Sequence, residues 1–505
     1  MPNLWTRRVN DAYRITFMSN LKVEMAKGLM WTAIGKYTGI VISIIVSMVL
    51  ARLIAPEEFG VVAIAQVAIA FIGVISDMGI GSAIVQNKTL TKSDYDNLFT
   101  FTIILGIMLS GVVVGMSPFL AKFYHSPKLV NVCIMLSISM FFGIISMVPE
   151  ALFTKNKRFA FVNKRSLVFG VIGGIISITY ALLGGGCYAL VLAPILTAIP
   201  LFIIDMREYP CHIVWHLSLA PFKKIFSFSF FQFSFSLVNY FSRNLDKLII
   251  GRALDMKSLG YYQKSYSLML MPLQNITFVI TPVLQPFLSD YQEDLEFIRE
   301  KYLKIIKLIA TISFPMGVLL YYIGYEVVCI MYGKQWIPAV PAFQIFAWSI
   351  PMQLILSTTG SIFQSVNHTK DLFFVGIINT AITVSGFLVC TYLKSGVNGF
   401  ALSWDITLVF NFIVSFAWMF RGIFKHSSLE VYKELLHPLV IGIIIFIVCG
   451  FVNFFIPKEY IVITLVLKIF ITLVVSYFMI RLYGDYDINA LIRKSLAKFR
   501  NVIHK

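Results

Sequence analysis

Apolar stretches of membrane-spanning length run through almost the whole chain. A helix that crosses the hydrocarbon core needs about 20 mostly apolar residues, and the sequence contains fourteen such stretches. Because 58% of the 505 residues are hydrophobic and 13% are charged, a soluble core could not absorb this much apolar surface. The sequence therefore predicts an all-α polytopic membrane protein. The predicted spans are 29–51, 60–83, 98–117, 129–152, 166–183, 186–205, 225–250, 260–287, 304–324, 341–365, 371–392, 397–420, 436–456 and 460–482.

The positive residues predict the direction of these spans. With the N-terminus in the cytoplasm, 28 of the 42 Lys and Arg residues fall in cytoplasmic segments and 8 fall outside. This bias follows the positive-inside rule and accounts for most of the net charge of +17. Nucleic acid is therefore not expected as a partner, and both termini are expected in the cytoplasm. Residues 1–26 lack the apolar core of a cleaved signal peptide, and Met18 is an alternative start.

The sequence contains no pattern that indicates a metal, a cofactor or covalent catalysis. The six cysteines have no CxxC spacing and lie almost all in apolar runs, which favours packing thiols over disulfides or a metal site. A Gly-rich phosphate loop and a nucleophile elbow are also missing from the sequence. We therefore expect no cofactor, no metal and no enzymatic activity.

Two helix junctions align at an offset of 200 residues. Segments 50–60 and 250–260 align without a gap, at the end of the first and of the seventh predicted span. Six spans per repeat place both copies in the membrane in the same direction, as in transporters that open a central site to each side in turn. We expect two six-helix lobes around a central cavity, followed by a C-terminal helix pair. The identical positions are Arg52 with Arg252 and Gly60 with Gly260.

This organisation divides the chain into six predicted segments. They are a cytoplasmic N-terminal segment 1–26, an N-lobe 27–205 with spans one to six, a cytoplasmic linker 206–223, a C-lobe 224–420 with spans seven to twelve, a final helix pair 421–482, and a basic cytoplasmic tail 483–505.

The seventh predicted span carries a cluster of charges. At 100° per residue, Asn239, Arg243 and Asp246 fall within an arc of about 60°, and Lys247 lies at the edge of that face. A charged side chain at bilayer depth costs at least ~2.5 kcal/mol, so these residues need a water-filled cavity, a partner or an interface. The alternative to a functional site is an internal salt bridge, Arg243 with Asp246 at i, i+3 and Asp246 with Lys247 beside it.

Several motifs resemble one family of transporters. They are Ser-Arg-Asn-Leu-Asp-Lys-Leu-Ile-Ile-Gly at 242–251, Leu-Gly-Tyr-Tyr at 259–262, Gly-Lys-Gln-Trp-Ile-Pro-Ala-Val-Pro at 333–341 and the junction at 50–60. These motifs are similar to the colanic-acid-type branch of the polysaccharide flippases, within the multidrug/oligosaccharidyl-lipid/polysaccharide exporter superfamily. The resemblance covers about residues 24–440.

The resemblance implies a function and a location. Proteins of this branch lie in the bacterial cytoplasmic (inner) membrane and move polyprenyl-diphosphate-linked oligosaccharide repeat units from the cytoplasmic to the outer leaflet by alternating access. The products are surface polysaccharides such as lipopolysaccharide and exopolysaccharide. The implied partners are the lipid-linked oligosaccharide, membrane lipid, a polysaccharide polymerase and glycosyltransferases.

A diphosphate substrate calls for cations in the cavity. Arg presents a planar fork to phosphate oxygens, so we expect Arg243 to hold the diphosphate, with help from Lys36 or Lys264. The Asn239 amide suits sugar hydroxyls. Snorkelling to the surface is an alternative for Lys36, and it suffices for Lys307 and Lys468 near their helix ends. The remaining expected cavity residues are Asp246, Lys247 and Asn275.

Asp77 near the end of the second span is a candidate for proton or cation coupling, although a helix-end cap is the favoured interpretation. Two other functions stay open. One is a drug or metabolite efflux carrier of the same superfamily. The other, less favoured, is an outer-face polymerase or ligase that uses Glu57 and Glu58, because these residues are explained as acids in the first turn of a helix.

Overall fold

The computed structural model describes residues 35–77, 80–87, 89–215, 218, 240–241, 244–456 and 460–483. Every regular element in these residues is helical, and twelve of the helices are long and apolar enough to cross a membrane. The all-α polytopic fold predicted from the hydropathy pattern is thus confirmed.

The chain divides into two compact units, Met1–Tyr240 and Phe241–Lys505. The described helices of the first unit are α1 Gly35–Leu53, α2 Pro56–Asp77, α3 Ile80–Gln86, α4 Lys92–Phe123, α5 Lys128–Lys155, α6 Phe159–Leu182 and α7 Cys187–Glu208. Those of the second are α8 244–253, α9 Met256–Ser289, α10 Leu295–Tyr322, α11 Gly324–Met331, a 3-10 helix Lys334–Ala339, α12 Val340–Leu356, α13 Thr359–Ser365, α14 Thr369–Tyr392, α15 Val397–Ala417 with a π-helical end Trp418–Phe424, α16 Leu429–Phe455 and α17 Ile461–Tyr483.

Thirteen of the fourteen predicted spans coincide with these helices. Twelve of them meet the length and hydropathy of a membrane span. The eighth predicted span coincides with the helix α9, which is 34 residues long. Most of the seventh predicted span, 225–250, lies outside the described residues, and α8 is its final part.

The predicted repeat appears as two junctions with the same backbone. α1 ends at residue 53 and α2 begins at 56, while α8 ends at 253 and α9 begins at 256. In both, the first residue after the helix donates its N–H to the carbonyl four residues earlier at 2.9 Å, Ile54 to Leu50 and Leu254 to Ile250. The acids Glu57 and Glu58 lie in the first turn of α2, as the helix-start interpretation predicted.

The two junctions differ in how the second helix is capped. The Asp255 side chain accepts a hydrogen bond from the Ser258 backbone N–H at 2.6 Å, which is a regular N-cap. In the first repeat Ala55 occupies this position and offers only its carbonyl, which accepts from the Glu58 N–H at 3.1 Å. The shared bend therefore does not depend on a side-chain cap.

Further along, the repeat continues at an offset of 210. The turn before α6 places Lys157 at φ 57°, and the turn before α14 places Asn367 at φ 59°. After these helices, Gly184 and Lys394 are again left-handed, at φ 87° and 52°. The offset grows because residues 124–127 join α4 to α5, whereas residues 323–339, with α11 and the 3-10 helix, join α10 to α12.

The basic residues around the start of α6 form ion pairs and hydrogen bonds within the protein. Arg165 forms a buried ion pair with Asp205 on α7, and Arg158 pairs with Glu208 at the end of the same helix. The Lys155 ammonium donates to the Asn87 carbonyl at 2.7 Å. Because buried charges need partners, these contacts join the start of α6 to the end of α7, and the end of α5 to the segment between α3 and α4.

The final helix pair is attached by a buried charge, which contradicts the snorkelling expected for Lys468. Lys468 on α17 is 1% exposed, and its Nζ lies 2.6 Å from Glu326 Oε1 on α11. The same ammonium donates to the Tyr322 carbonyl at 2.8 Å and to Asn453 Oδ1 at 3.0 Å. Three acceptors satisfy the charge inside the protein, so the side chain has no need to reach the surface. The prediction failed because Glu326 lies 142 residues away in sequence.

Candidate functional site

The structure describes the side chains of five of the eight expected site residues. Asn239 and Arg243 lie outside the described residues, and Asp77 is the last residue of α2, with a side chain that is likewise outside them. The five described side chains are those of Lys36, Asp246, Lys247, Lys264 and Asn275.

Asp246 on α8 is the most deeply buried of the expected residues. Its side chain is 1% exposed, and its Oδ2 accepts a hydrogen bond from the Tyr262 hydroxyl of α9 at 2.9 Å. The two residues stand eight positions before and eight positions after Leu254, so the junction places both about 12 Å along their helices from the bend. Among the described residues, Asp246 Oδ1 has no hydrogen-bond partner.

A second carboxylate lies in the neighbourhood of the same tyrosine. Asp405 on α15 lies beside the Ser349 hydroxyl of α12, and it is close enough to Tyr262 to act on its hydroxyl electrostatically. Its Oδ1 is also buried without a hydrogen-bond partner in the described part of the chain. We call Asp246, Tyr262, Ser349 and Asp405 the buried acidic cluster.

Aromatic rings enclose the buried acidic cluster. Tyr262 and Tyr266 stack on α9 with centroids 6.2 Å apart. The Phe346 ring meets Tyr262 edge-on at 5.3 Å, and Trp404, the neighbour of Asp405, meets Tyr266 edge-on at 5.4 Å. Two carboxylates in such apolar surroundings are costly as anions. Uptake of a proton removes that cost for either carboxylate.

Lys247 forms no ion pair with Asp246 in the described part of the chain. Its Nζ donates to Asn244 Oδ1 at 3.1 Å and lies 5.6 Å from the Tyr266 ring centroid. Among the ion pairs of the described residues there is none between Lys247 and Asp246. Of the two ion pairs considered as an alternative to a functional site, the one between Asp246 and Lys247 is therefore not formed.

Lys264 lies on a different side of α9 from Tyr262, because two residues turn a helix by about 200°. It is 8% exposed, and its Nζ is 4.6 Å from the Tyr332 ring centroid and 5.9 Å from that of Trp336. These rings belong to the α10–α12 connection, so the structure holds Lys264 in a cation–π environment. The acidic cluster and Lys264 are thus separate features.

Asn275 and Lys36 lie apart from this region. Asn275 is thirteen residues beyond Tyr262 on α9, about 20 Å along the helix, and its Nδ2 donates to the Met271 carbonyl at 2.8 Å. Lys36 is half-buried near the start of α1 in the first unit. There α1 packs closely on α6, since a Cβ at Gly35 would stand 2.8 Å from Asn163 Cβ.

Asp405, Tyr262 and Ser349 were missed as site residues by the sequence reasoning. Asp405 was visible as a lone acid inside an apolar run, which is a signal for function in a membrane helix. Its relation to Asp246 was not visible, because the contact depends on how α15 packs beside α9 and α12. Tyr262 had appeared only as part of a family motif.

A comparison with known families decides the identity of the chain. Residues 49–341 match the model of a family described as "Polysaccharide biosynthesis protein". The chain belongs to this family. The identification made from the motifs is thereby confirmed.

Curated relatives carry names from the same field. The teichuronic acid biosynthesis protein TuaB of Bacillus subtilis is 24% identical over 436 residues, with 85% of this chain and 90% of the relative covered. The lipopolysaccharide biosynthesis protein WzxC of Escherichia coli is 23% identical over 438 residues, with 84% and 86% covered.

Two solved transporter structures share the fold of this chain. The lipid II flippase MurJ in an inward closed conformation has a TM-score of 0.71 at 14% identity, with 90% of this chain and 99% of that chain covered. An inward-facing multidrug resistance MATE family transporter of the MOP superfamily has a TM-score of 0.60 at 16% identity, with 78% and 96% covered. A lipid flippase and a drug transporter thus share one fold. The fold alone therefore does not identify the substrate of this chain.

Proposed function

We propose that this polysaccharide biosynthesis protein is a flippase of the bacterial inner membrane. It moves a polyprenyl-diphosphate-linked oligosaccharide repeat unit from the cytoplasmic to the outer leaflet by alternating access, and both of its termini lie in the cytoplasm.

The observation that carries the proposal is the family match over residues 49–341. Relatives named for teichuronic acid and lipopolysaccharide biosynthesis support a saccharide substrate. A further relative, of Rhizobium meliloti, is named a succinoglycan biosynthesis transport protein, which supports transport over catalysis. The lipid flippase fold adds that such a scaffold suits a lipid-linked substrate.

In this proposal Arg243 holds the diphosphate, because its planar fork can donate two parallel hydrogen bonds to phosphate oxygens. Asn239, which the sequence periodicity predicts on the same face as Arg243, contacts sugar hydroxyls in this proposal. Lys36 and Lys264 supply additional positive charge, and Lys264 would have to leave the Tyr332 and Trp336 rings to reach the substrate.

The buried acidic cluster supplies the coupling step in this proposal. Asp246 and Asp405 each have a carboxylate oxygen without a hydrogen-bond partner in the described residues. A proton or a small cation taken up there removes the cost of two buried anions and so favours one conformation of the second unit. Asp77, at the end of α2, stays a second candidate for the same role.

Transfer between leaflets tests the function directly. Proteoliposomes would carry a fluorescent polyprenyl-diphosphate oligosaccharide, and the fraction accessible to a membrane-impermeant quencher would be followed over time. Wild-type protein should move the probe, and Arg243→Ala should slow transfer by about 10-fold to 100-fold, which corresponds to the 1.5–3 kcal/mol of a charged hydrogen bond. Arg243→Lys should recover part of the rate.

The matched control is Arg252→Ala, which removes an exposed arginine one residue after Gly251 and should leave transfer unchanged. Absence of transfer by the wild-type protein, together with transport of a cationic drug in the same vesicles, would replace the flippase by an efflux carrier. Equal transfer by wild type and Arg243→Ala would remove Arg243 from the diphosphate site and leave the function standing.

A further inference from the structure

The segment that follows α7 is held along the first turns of α4. Residues 209–215 contain no helix, and we call them the strap. Its backbone N–H groups donate to α4 side chains at alternate positions, and the neighbouring Ser218 adds a third such bond. The bonds are His212 N–H to Asp96 Oδ1 at 2.8 Å, Val214 N–H to Thr100 Oγ1 at 2.9 Å and Ser218 N–H to Asn97 Oδ1 at 2.9 Å.

Side-chain packing fixes the beginning of the strap as well. The Tyr209 ring meets Phe153 edge-on with centroids 4.7 Å apart, and its hydroxyl accepts from Asn156 Nδ2 at 2.8 Å. Cys211 is buried in a core with Leu98 and other residues of α4 and α5, and burial raises the pKa of its thiol to about 11. The strap is therefore a positioned element of the first unit.

Two large apolar side chains of the strap point away from the protein. Ile213 is 61% exposed and Trp215 is 92% exposed. Only Val214 separates the two residues in a segment that contains no helix, and together they form one exposed apolar edge. No described residue of the chain covers it.

The depth of this edge follows from α4. The helix is 32 residues long, about 48 Å, which exceeds a hydrocarbon core of about 30 Å by roughly 9 Å at each end. That is about six residues, so the hydrocarbon begins near Leu98. The strap bonds to residues 96, 97 and 100 and therefore lies at the boundary between hydrocarbon and headgroups.

The surroundings match a lipid surface. Ile104 on α4 and Ile203 on α7 are about half exposed one to two turns from the strap and continue the apolar belt. Lys92, which lies near Cys211, and Arg207 are exposed on the polar side. Positive residues at this level attract the anionic headgroups of a cytoplasmic leaflet.

We propose that Ile213 and Trp215 insert into the headgroup–hydrocarbon boundary of the adjacent leaflet, the cytoplasmic leaflet in the predicted orientation. The partner of this surface is bilayer lipid. Trp is suited to this depth because its ring is apolar and its N–H can meet water or headgroups. The strap thus anchors the chain between α7 and the second unit to the membrane surface while α4 holds its backbone. This inference is independent of the transported substrate.

Spin-label accessibility tests the depth. Ile213→Cys and Trp215→Cys would be labelled in proteoliposomes of phosphatidylcholine and phosphatidylglycerol, and the signal of unsubstituted protein, whose six cysteines are buried or half-buried, would be subtracted. Collisions with oxygen, which concentrates in lipid, should exceed those with a water-soluble nickel chelate by several-fold at both positions. Lys92→Cys is the matched control and should show the opposite ratio, because Lys92 is exposed at the start of α4, about 9 Å before the hydrocarbon boundary near Leu98.

Two outcomes overturn the proposal. A label at 215 that favours the nickel chelate places the edge in water, and a label reached by neither reagent shows that protein covers it. A second measurement avoids any damage from the cysteine substitutions. Tryptophan emission of the native chain should be quenched by lipids brominated near the headgroup, and Trp215→Phe should remove at least a tenth of that quenching; no difference between the two proteins would contradict insertion.

Discussion

The junctions α1–α2 and α8–α9 share a backbone and differ in almost every side chain that faces their interiors. Val46 and Val62 stand in the first repeat where Asp246 and Tyr262 stand in the second. The bend at residue 54 and the bend at residue 254 are nevertheless the same. The apolar copy shows that the fold does not require the carboxylate. In the second copy the acid accepts a hydrogen bond from Tyr262 across the junction, and the first copy has no equivalent of this bond among its aligned residues.

Of the predicted changes in transfer rate, the largest should come from removing the charge of Asp246, which the first junction lacks. Asp246→Asn keeps the shape and the hydrogen bond from Tyr262 but cannot become an anion. If the acidic cluster couples transport, the rate of leaflet transfer should fall by about 5-fold to 150-fold, the range of a coupling free energy of 1–3 kcal/mol. Transfer in proteoliposomes measures it.

Asp290→Asn is the matched control for this prediction, since it neutralises an exposed aspartate just after the end of α9. It should leave the transfer rate unchanged. Thermal unfolding in detergent should show Asp246→Asn to be as stable as wild type or more so, because a buried charge is removed. Unaltered transfer with Asp246→Asn would show that the difference between the repeats has no part in transport.

A smaller effect is expected from the hydroxyl that touches Asp246. Tyr262→Phe removes the 2.9 Å hydrogen bond and leaves the ring in place between Tyr266 and Phe346. The loss of one hydrogen bond to a charged group, about 1.5 kcal/mol, should slow transfer by about tenfold. Tyr321→Phe, on α10, is the comparable loss of a hydroxyl elsewhere, and an equal slowing by both variants would contradict a specific role for Tyr262.

The smallest effect concerns the cap that only the second junction has. Asp255→Ala should lower the free energy of unfolding by about 1 kcal/mol, the usual value of an N-cap, without altering transfer. Ala55→Asp should stabilise the first junction by a similar amount, because the Glu58 N–H already points at residue 55. Urea titration followed by circular dichroism measures both. If the free energy of unfolding falls for Asp255→Ala and rises for Ala55→Asp, the cap acts on stability alone at both junctions. A loss of transfer in either variant would contradict this interpretation.

The features that could be predicted from the sequence are those set by residues close together along the chain. Runs of about twenty apolar residues specify the helices, and the segments 50–60 and 250–260 contain everything that sets the two bends. The contacts that complete the site are not local. Asp405 lies near Tyr262 although the two are more than a hundred residues apart in sequence, and the buried Lys468 is neutralised by Glu326 on the short helix α11. No hydropathy pattern predicts which helices become neighbours.

The longer connection between α10 and α12 bears on the history of the chain. A duplicated six-helix ancestor with the four-residue connection of the first repeat, 124–127, would offer no carboxylate to a lysine on an added helix. The second repeat has one, Glu326, within the very segment that shifts the offset from 200 to 210. The ion pair that holds α17, between Lys468 and Glu326, therefore depends on the longer connection. Relatives that lack the insertion should either lack the final pair or hold it by apolar contacts alone, which dates the two additions relative to each other.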